Sequence, residues 1–186
     1  ISLPEFQITK DTLSIKHAES FPLVDISQFS IDYKNSEALF NELCDILTAV
    51  ENELSATVNN IKVLTGENKI DLNKLFTAFI KEDEALFDEA ETKYNIDKQV
   101  LGFLIFNALQ PSLVSFSEMI SVNLEKDIEW DKGYCPVCGS MPELSLFEEN
   151  GKRFLICGFC SHKWASKRMY CPFCENADHE TLQYYS

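Results

Sequence analysis

Apolar residues recur at helical steps through the first two thirds of the chain and at strand steps in the last third. Between about Ser36 and Ile61, residues Leu39, Phe40, Leu43, Leu47, Val50, Leu54 and Val58 fall three or four apart, the spacing of one helix face. Ser36 is a candidate N-cap, and Thr65-Gly66-Glu67-Asn68 closes the segment as a turn. Asp71 stands where it could cap a second helix through Leu72, Leu75, Phe76, Phe79 and Ile80, which continues or restarts through Leu86, Phe87, Ala90 and Tyr94. Asp97 precedes a third, Val100 to Leu109, that is apolar on nearly every side and so belongs at the centre of a bundle. Pro111 kinks that helix or opens a new one carrying Leu113, Val114, Phe116, Met119, Ile120 and Val122. Ahead of these helices, residues 1–33 read as an extended lead-in with one short helix.

The pattern changes at Glu125-Lys126-Asp127-Ile128-Glu129-Trp130. Beyond it Gly, Pro and Cys accumulate and the alternation becomes that of strands. Glu143 to Phe147 alternates, Asn150-Gly151 is a strong hairpin signal, and Arg153 to Ile156 returns. A third strand is expected around Lys163 to Tyr170. The fold class is therefore α+β: an N-terminal α-helical bundle over residues 1–127, then a rubredoxin-like or zinc-ribbon Cys-rich β module over 128–170. Residues 171–186 read as the start of a second, incomplete metal module.

The cysteines define the chemistry. Six of the seven stand in C-x-x-C pairs: Cys135/Cys138, Cys157/Cys160 and Cys171/Cys174. Two thiolates at that spacing can reach one metal ion, and two pairs complete a tetrahedral four-sulfur site. The hairpin would return the chain and bring the first two pairs to the same end of the ribbon. Gly139 permits the left-handed backbone of the first knuckle, Pro136 stiffens it, and Gly158 is assigned a related role in the second. A unit of about 55 residues with few large aliphatics needs such a staple to fold. Four thiolates suit zinc or iron equally. A closed four-sulfur site leaves no open coordination position for direct metal catalysis. The third pair has no fourth after it, so it offers a possible second site, with His179 a candidate ligand or a solvated loop residue, and further chain is expected beyond Ser186.

Charge narrows the partners. The net charge is −14 over 186 residues, which disfavours nucleic acid and anionic membrane surfaces. From Asp131 onward seven acidic residues face six basic ones, so the acidity belongs to the helical part. Both arginines lie in the Cys-rich part, and Arg153, Lys163, Lys167 and Arg168 could share a face that receives an acidic partner. The longest apolar run, Val100 to Leu109, is too short to span a bilayer, so no membrane insertion is expected. No signal peptide is in view, and paired thiols spaced for metal fit a reducing cytoplasm; the start at Ile1 rather than Met leaves room for chain before it. Cys44 reads as core, His17 and His162 as lone histidines that are surface or satisfied rather than ligands, and Trp164 as the anchor of the small sheet. No phosphate-binding glycine loop or nucleophile–base arrangement is present, so no catalytic residues are assigned. Nothing in the pattern specifies an oligomeric state.

Several of these residues carry a family resemblance. The segment Trp130-Asp131-Lys132-Gly133-Tyr134-Cys135-Pro136-Val137-Cys138-Gly139-Ser140-Met141-Pro142 resembles the formate dehydrogenase accessory proteins of the FdhE type. So do Gly151-x-Arg153-x-Leu155-x-Cys157, Trp164-x-x-x-Arg168-x-x-Cys171-x-x-Cys174 and, upstream, Ala108-Leu109-Gln110-Pro111-Ser112-Leu113. The match covers about residues 105–180. It implies a non-enzymatic cytoplasmic maturation factor that binds the catalytic subunit of formate dehydrogenase, with a helical N-terminal domain, rubredoxin-like four-cysteine modules and iron at the cysteines. Family members carry four C-x-x-C pairs where this chain shows three. Two other readings stand beside it: a rubredoxin-like electron-transfer or thiol-redox protein, and, less favoured, a nucleic-acid-binding zinc ribbon.

Overall fold

The computed structural model describes residues 1–50, 53–124, 130–171, 173–178 and 180–181. The composition change at 125–129, His179 and the end at Ser186 lie outside them. The described α-helices are α1 (Lys10–Ala18), α2 (Tyr33–Ala49), α3 (Ser55–Gly66), α4 (Leu72–Ile80), α5 (Ala85–Tyr94) and α6 (Lys98–Ser121), with a single 3-10 turn at Ile26–Gln28. Three strands follow, β1 (Pro142–Phe147), β2 (Arg153–Cys157) and β3 (Lys163–Ser166), in one antiparallel sheet of order β1-β2-β3. The chain forms two compact units: residues 1–3 with 30–112, and residues 4–29 with 113–186. This division differs from the composition change near residue 127. The lead-in and the last part of α6 belong with the cysteine module.

The first unit is built on helix faces that follow the apolar spacing. Phe40 and Cys44 of α2, Val58 and Ile61 of α3, Leu75 and Phe76 of α4 and Leu101, Leu104 and Ile105 of α6 are all buried. Burial pushes the Cys44 thiol up to about 11, in keeping with a core residue. The helix expected over 36–61 is two helices, α2 and α3. The Ser55 hydroxyl donates to the carbonyls of Leu47 and Val50, satisfying orphan acceptors at the end of α2. The cap of α2 is Asp32 rather than Ser36: its carboxylate accepts the Asn35 N–H, and Ser36 lies buried inside the helix. Asp71 caps α4 and Asp97 caps α6, as their positions suggested. The chain restarts as α5 after Glu82, which has a positive φ of 53°.

Pro111 lies inside α6 and starts no new helix. Pro111 has no N–H to give, yet the apolar residues on either side of it keep the segment helical. The helix is long and apolar enough to cross a membrane by length and composition, with a mean hydropathy of 1.5 over its most apolar window. Half of that window is buried inside the protein, as a core helix would be.

In the second unit the lead-in is docked by backbone. Leu23 N–H donates to the Pro136 carbonyl at 2.9 Å and Val24 N–H to the Val137 carbonyl at 3.0 Å. The Tyr134 hydroxyl donates to the Ser20 carbonyl at 2.8 Å. Phe29 packs on Phe116 and Phe159, with ring centroids 4.7 and 5.3 Å apart, and Phe6 meets Phe116 edge-on at 5.4 Å. Each such hydrogen bond stabilises by about 1 kcal/mol net, and each buried large side chain by about 2. Apolar packing therefore holds the lead-in in place, and the hydrogen bonds fix its register.

Asp32 yields a pH prediction for the first unit. The backbone N–H of Ser2, then Asn35, hold its carboxyl down to about 2. A depressed carboxyl stabilises fully above its ordinary value near 4 and loses that contribution as pH falls towards 2. Asp32→Ala should lower the melting temperature by roughly 2–5 °C at neutral pH. The gap from wild type should close between pH 4 and 2, as read by circular dichroism.

Candidate metal centre

The hairpin makes the site. β1 pairs with β2 in the register Phe147↔Arg153 to Pro142↔Cys157, with an irregularity between Pro142 and Leu144. The turn closes with Gly151 at φ 77° and the Lys152 N–H on the Asn150 side chain at 2.9 Å. Knuckle one ends just before β1 and knuckle two begins at the end of β2, so the pairing brings them together. The Sγ atoms of Cys135, Cys138, Cys157 and Cys160 all lie within 4.8 Å of one another, and all four residues are buried. Cys135–Cys160 measures 3.7 Å, and Cys138 lies 3.5 Å from both Cys157 and Cys160.

These separations discriminate between chemistries. A disulfide needs about 2.05 Å between sulfurs. Four sulfurs around one ion at about 2.3 Å lie ~3.8 Å apart along the tetrahedral edges. The observed spacing matches the second, so this cluster could hold a metal ion. Burial pushes the Cys135 thiol up, while hydrogen bonds from Cys135, Cys138 and Cys160 hold Cys157 down. Four thiols this close share their protons as a set. The N–H groups of Phe159 and Cys160 also point at the Cys157 sulfur, each at 3.4 Å.

All three C-x-x-C pairs have the same local geometry. In each, the first cysteine accepts at its carbonyl the N–H of the residue after the pair: Gly139 to Cys135 at 2.8 Å, Ser161 to Cys157 at 3.2 Å, Glu175 to Cys171 at 2.9 Å. In each, the first cysteine's N–H donates one residue further on, to Ser140, His162 or Asn176, at 2.8–2.9 Å. The residue after the pair is left-handed every time, with φ of 79° at Gly139 and 57° at Ser161 and Glu175. Ser161, not Gly158, is thus the counterpart of Gly139. Gly158 serves close approach instead, since a Cβ there would stand 3.3 Å from the Glu143 Cβ. Cys171 and Cys174 do not belong to the four-sulfur cluster: Cys171 is half-buried and Cys174 exposed. The N–H groups of Cys174 and Phe173 hold the Cys171 thiol below its ordinary range.

The other candidates fall into place around the sheet. Trp164 is buried and anchors it, with His162 stacked on its ring at 6.5 Å. Burial lowers the His162 pKa, and its structural contribution is the carbonyl that receives Cys157 N–H. Trp130 donates from Nε1 to the Tyr134 carbonyl at 2.6 Å. The four basic residues do not share a face. Arg153 pairs across the sheet with Ser166 and Lys163 with Ile156, positions of opposite parity on β2. Arg153 is spent on the Ser145 hydroxyl and on the carbonyls of Lys167 and Tyr170. Lys163 pairs with Glu148 at 2.6 Å and lies over Phe154, while Arg168 stands 5.9 Å from the Phe147 ring centre. The buried Ser117 hydroxyl, 3.4 Å from Cys160 Sγ, carries no local signal in the sequence because it lies 43 residues from its partner.

Gly139 is the most exacting position. Alanine there would adopt φ 79° and bring its Cβ 2.9 Å from the Pro22 Cγ. Gly139→Ala should cost roughly 1–3 kcal/mol, whereas Gly66→Ala, with open space around it, should be neutral or stabilising. Chemical denaturation of both variants makes the comparison.

The comparisons with known proteins converge on one family. The model of the FdhE central domain matches residues 134–168. A protein FdhE homolog of Aquifex aeolicus is 35% identical over 94 residues, 48% of this chain and 32% of that protein. A protein FdhE homolog of Citrobacter koseri is 24% identical over 173 residues, 91% of this chain and 51% of that protein. The crystal structure of the FdhE protein from Pseudomonas aeruginosa has a TM-score of 0.54 at 19% identity, over 98% of this chain and 59% of that one. That likeness shows the fold. The chain spans about half the length, or less, of the curated relatives described here.

Proposed function

We propose that this chain, whose residues 134–168 match the FdhE central domain and which is 35% identical over 94 residues to an FdhE homolog, is a cytoplasmic, non-enzymatic accessory factor that binds the catalytic subunit of formate dehydrogenase during its maturation. The observation that carries this reading is the closed, buried cluster of Cys135, Cys138, Cys157 and Cys160. A bound zinc or iron would cross-link the two knuckles and hold the β module in shape. With all four positions taken by protein sulfur, it would offer none to a substrate. The cysteines then serve to shape a recognition surface. Lys167 and Arg168, both exposed, are the basic residues of the ribbon best placed to meet an acidic partner. Cys171 and Cys174 supply half of a second four-sulfur site of the same design.

Metal stoichiometry tests the structural part. Full-length protein prepared without oxygen should carry one zinc or iron per chain in this span. Cys138→Ser or Cys157→Ser should abolish it and unfold the β module. Cys171→Ser with Cys174→Ser should leave it intact. Iron that cycles between ferric and ferrous forms on its own would favour the electron-transfer alternative. For the partner, tagged protein should retain the formate dehydrogenase catalytic subunit from its native cytoplasm. Double charge reversal at Lys167 and Arg168 should weaken retention several-fold. Failure to recover any formate dehydrogenase subunit would count against the reading.

A further inference from the structure

The four cysteines account for the ligands of the cluster but not for a fifth polar group set against it. Ser117 lies on α6, is 2% exposed, and its hydroxyl donates to Cys160 Sγ at 3.4 Å. A serine inside a helix commonly turns its hydroxyl back to a carbonyl one turn earlier. This one reaches a sulfur 43 residues away. Its neighbour Phe116 is fully buried and packs on Phe29, which in turn meets Phe159 beside Cys160. The aromatic contacts thus fix the end of α6 against knuckle two and set the hydroxyl at its distance.

We propose that Ser117 is a positioning residue of the metal centre: its hydroxyl donates to the Cys160 thiolate and fixes the orientation and charge of that ligand. The inference rests on the reading of the cluster as a metal centre. A thiolate has only acceptor sites, so the hydroxyl must be the donor once Cys160 has lost its proton. A buried thiolate without a donor carries an uncompensated desolvation cost when it ionises and is less firmly oriented, so loss of the hydroxyl disfavours the metal-bound form. The backbone donors of the second knuckle, from Phe159 and Cys160, go to Cys157. Ser117 reaches the other sulfur of that pair from outside the knuckle. A donor to sulfur also favours the more negative state of the site, so in an iron form it would raise the reduction potential.

The test uses the full chain loaded with zinc alone, titrated against a competing chelator. Ser117→Ala should keep one zinc per chain and bind it about 10-fold more weakly, while Ser117→Thr, which retains a hydroxyl, should bind more tightly than Ser117→Ala. In cobalt-substituted protein the sulfur-to-metal charge-transfer band should shift in Ser117→Ala and return towards wild type in Ser117→Thr. In iron-loaded protein the potential should move negative in Ser117→Ala. Unchanged affinity and an unshifted band in Ser117→Ala would overturn the proposal and leave the metal centre standing. A wild-type chain that binds neither zinc nor iron would instead overturn both. Should Ser117→Ala lose its helical circular dichroism, the near-isosteric pair Ser117→Thr and Ser117→Val makes the same comparison, and equal zinc affinity in those two overturns the proposal.

Discussion

Four sulfur atoms within 4.8 Å of one another remain there only if they keep their protons or share a cation. Ionised together without a cation they would repel strongly, since burial strips away the water that would screen them. The second unit is arranged around that constraint. Cys135 and Cys157 are pulled in opposite directions, the one protonated by burial and the other held low by its thiol neighbours. A divalent ion removes the conflict by replacing the protons. The small sheet, with Leu155 and Trp164 as its buried large residues, has too little apolar mass to hold the sulfurs together against such repulsion.

The same constraint explains why the lead-in belongs with the cysteines. A knuckle needs its backbone fixed on both sides. The carbonyls of Pro136 and Val137 point out of the first knuckle and need donors, which Leu23 and Val24 supply. Proximity then becomes a demand on residue 139. Glycine there serves two needs at once, the left-handed turn and the room for Pro22. The aromatic contacts of Phe29 reach the second knuckle through Phe159. One segment of the lead-in therefore stabilises both halves of the four-sulfur cluster.

What the sequence disclosed, and what it hid, follows from the range of each interaction. The helix faces, the hairpin at Asn150-Gly151 and the four-cysteine group were legible because their signals are local spacings. Asp71 and Asp97 were legible caps because each bonds within three residues of itself. The cap of α2 is not legible, because Ser36 and Asp32 both suit the role, and Asp32, which caps through the Asn35 N–H, is further held by a distant donor, Ser2. The break between α2 and α3 was hidden because the apolar spacing runs on across it. The partnership of residues 4–29 with the cysteines was hidden for a different reason. Backbone hydrogen bonds such as Leu23 to Pro136 carry no side-chain signature. The expected basic face failed on parity: Arg153 and Lys163 belong to opposite sides of the sheet, and the register that decides this lies in the pairing, not in either strand alone.

The three knuckles separate what the motif encodes from what its surroundings add. Each C-x-x-C pair closes the same two backbone hydrogen bonds and ends on a left-handed residue, whether that residue is Gly139, Ser161 or Glu175. The third does so outside the four-sulfur cluster, so the loop needs neither the cluster nor a glycine to take its shape. Glycine is demanded only where another segment leans on the loop, as Pro22 does on Gly139. The local geometry presents two sulfurs and costs little. Bringing two such loops into register requires a hairpin, and holding them there requires the aromatic packing of Phe29, Phe116 and Phe159. The arrangement of the cluster therefore depends in part on residues far from the cysteines in sequence, Phe29 and Phe116, and the third pair shows the same local loop bonds outside that cluster.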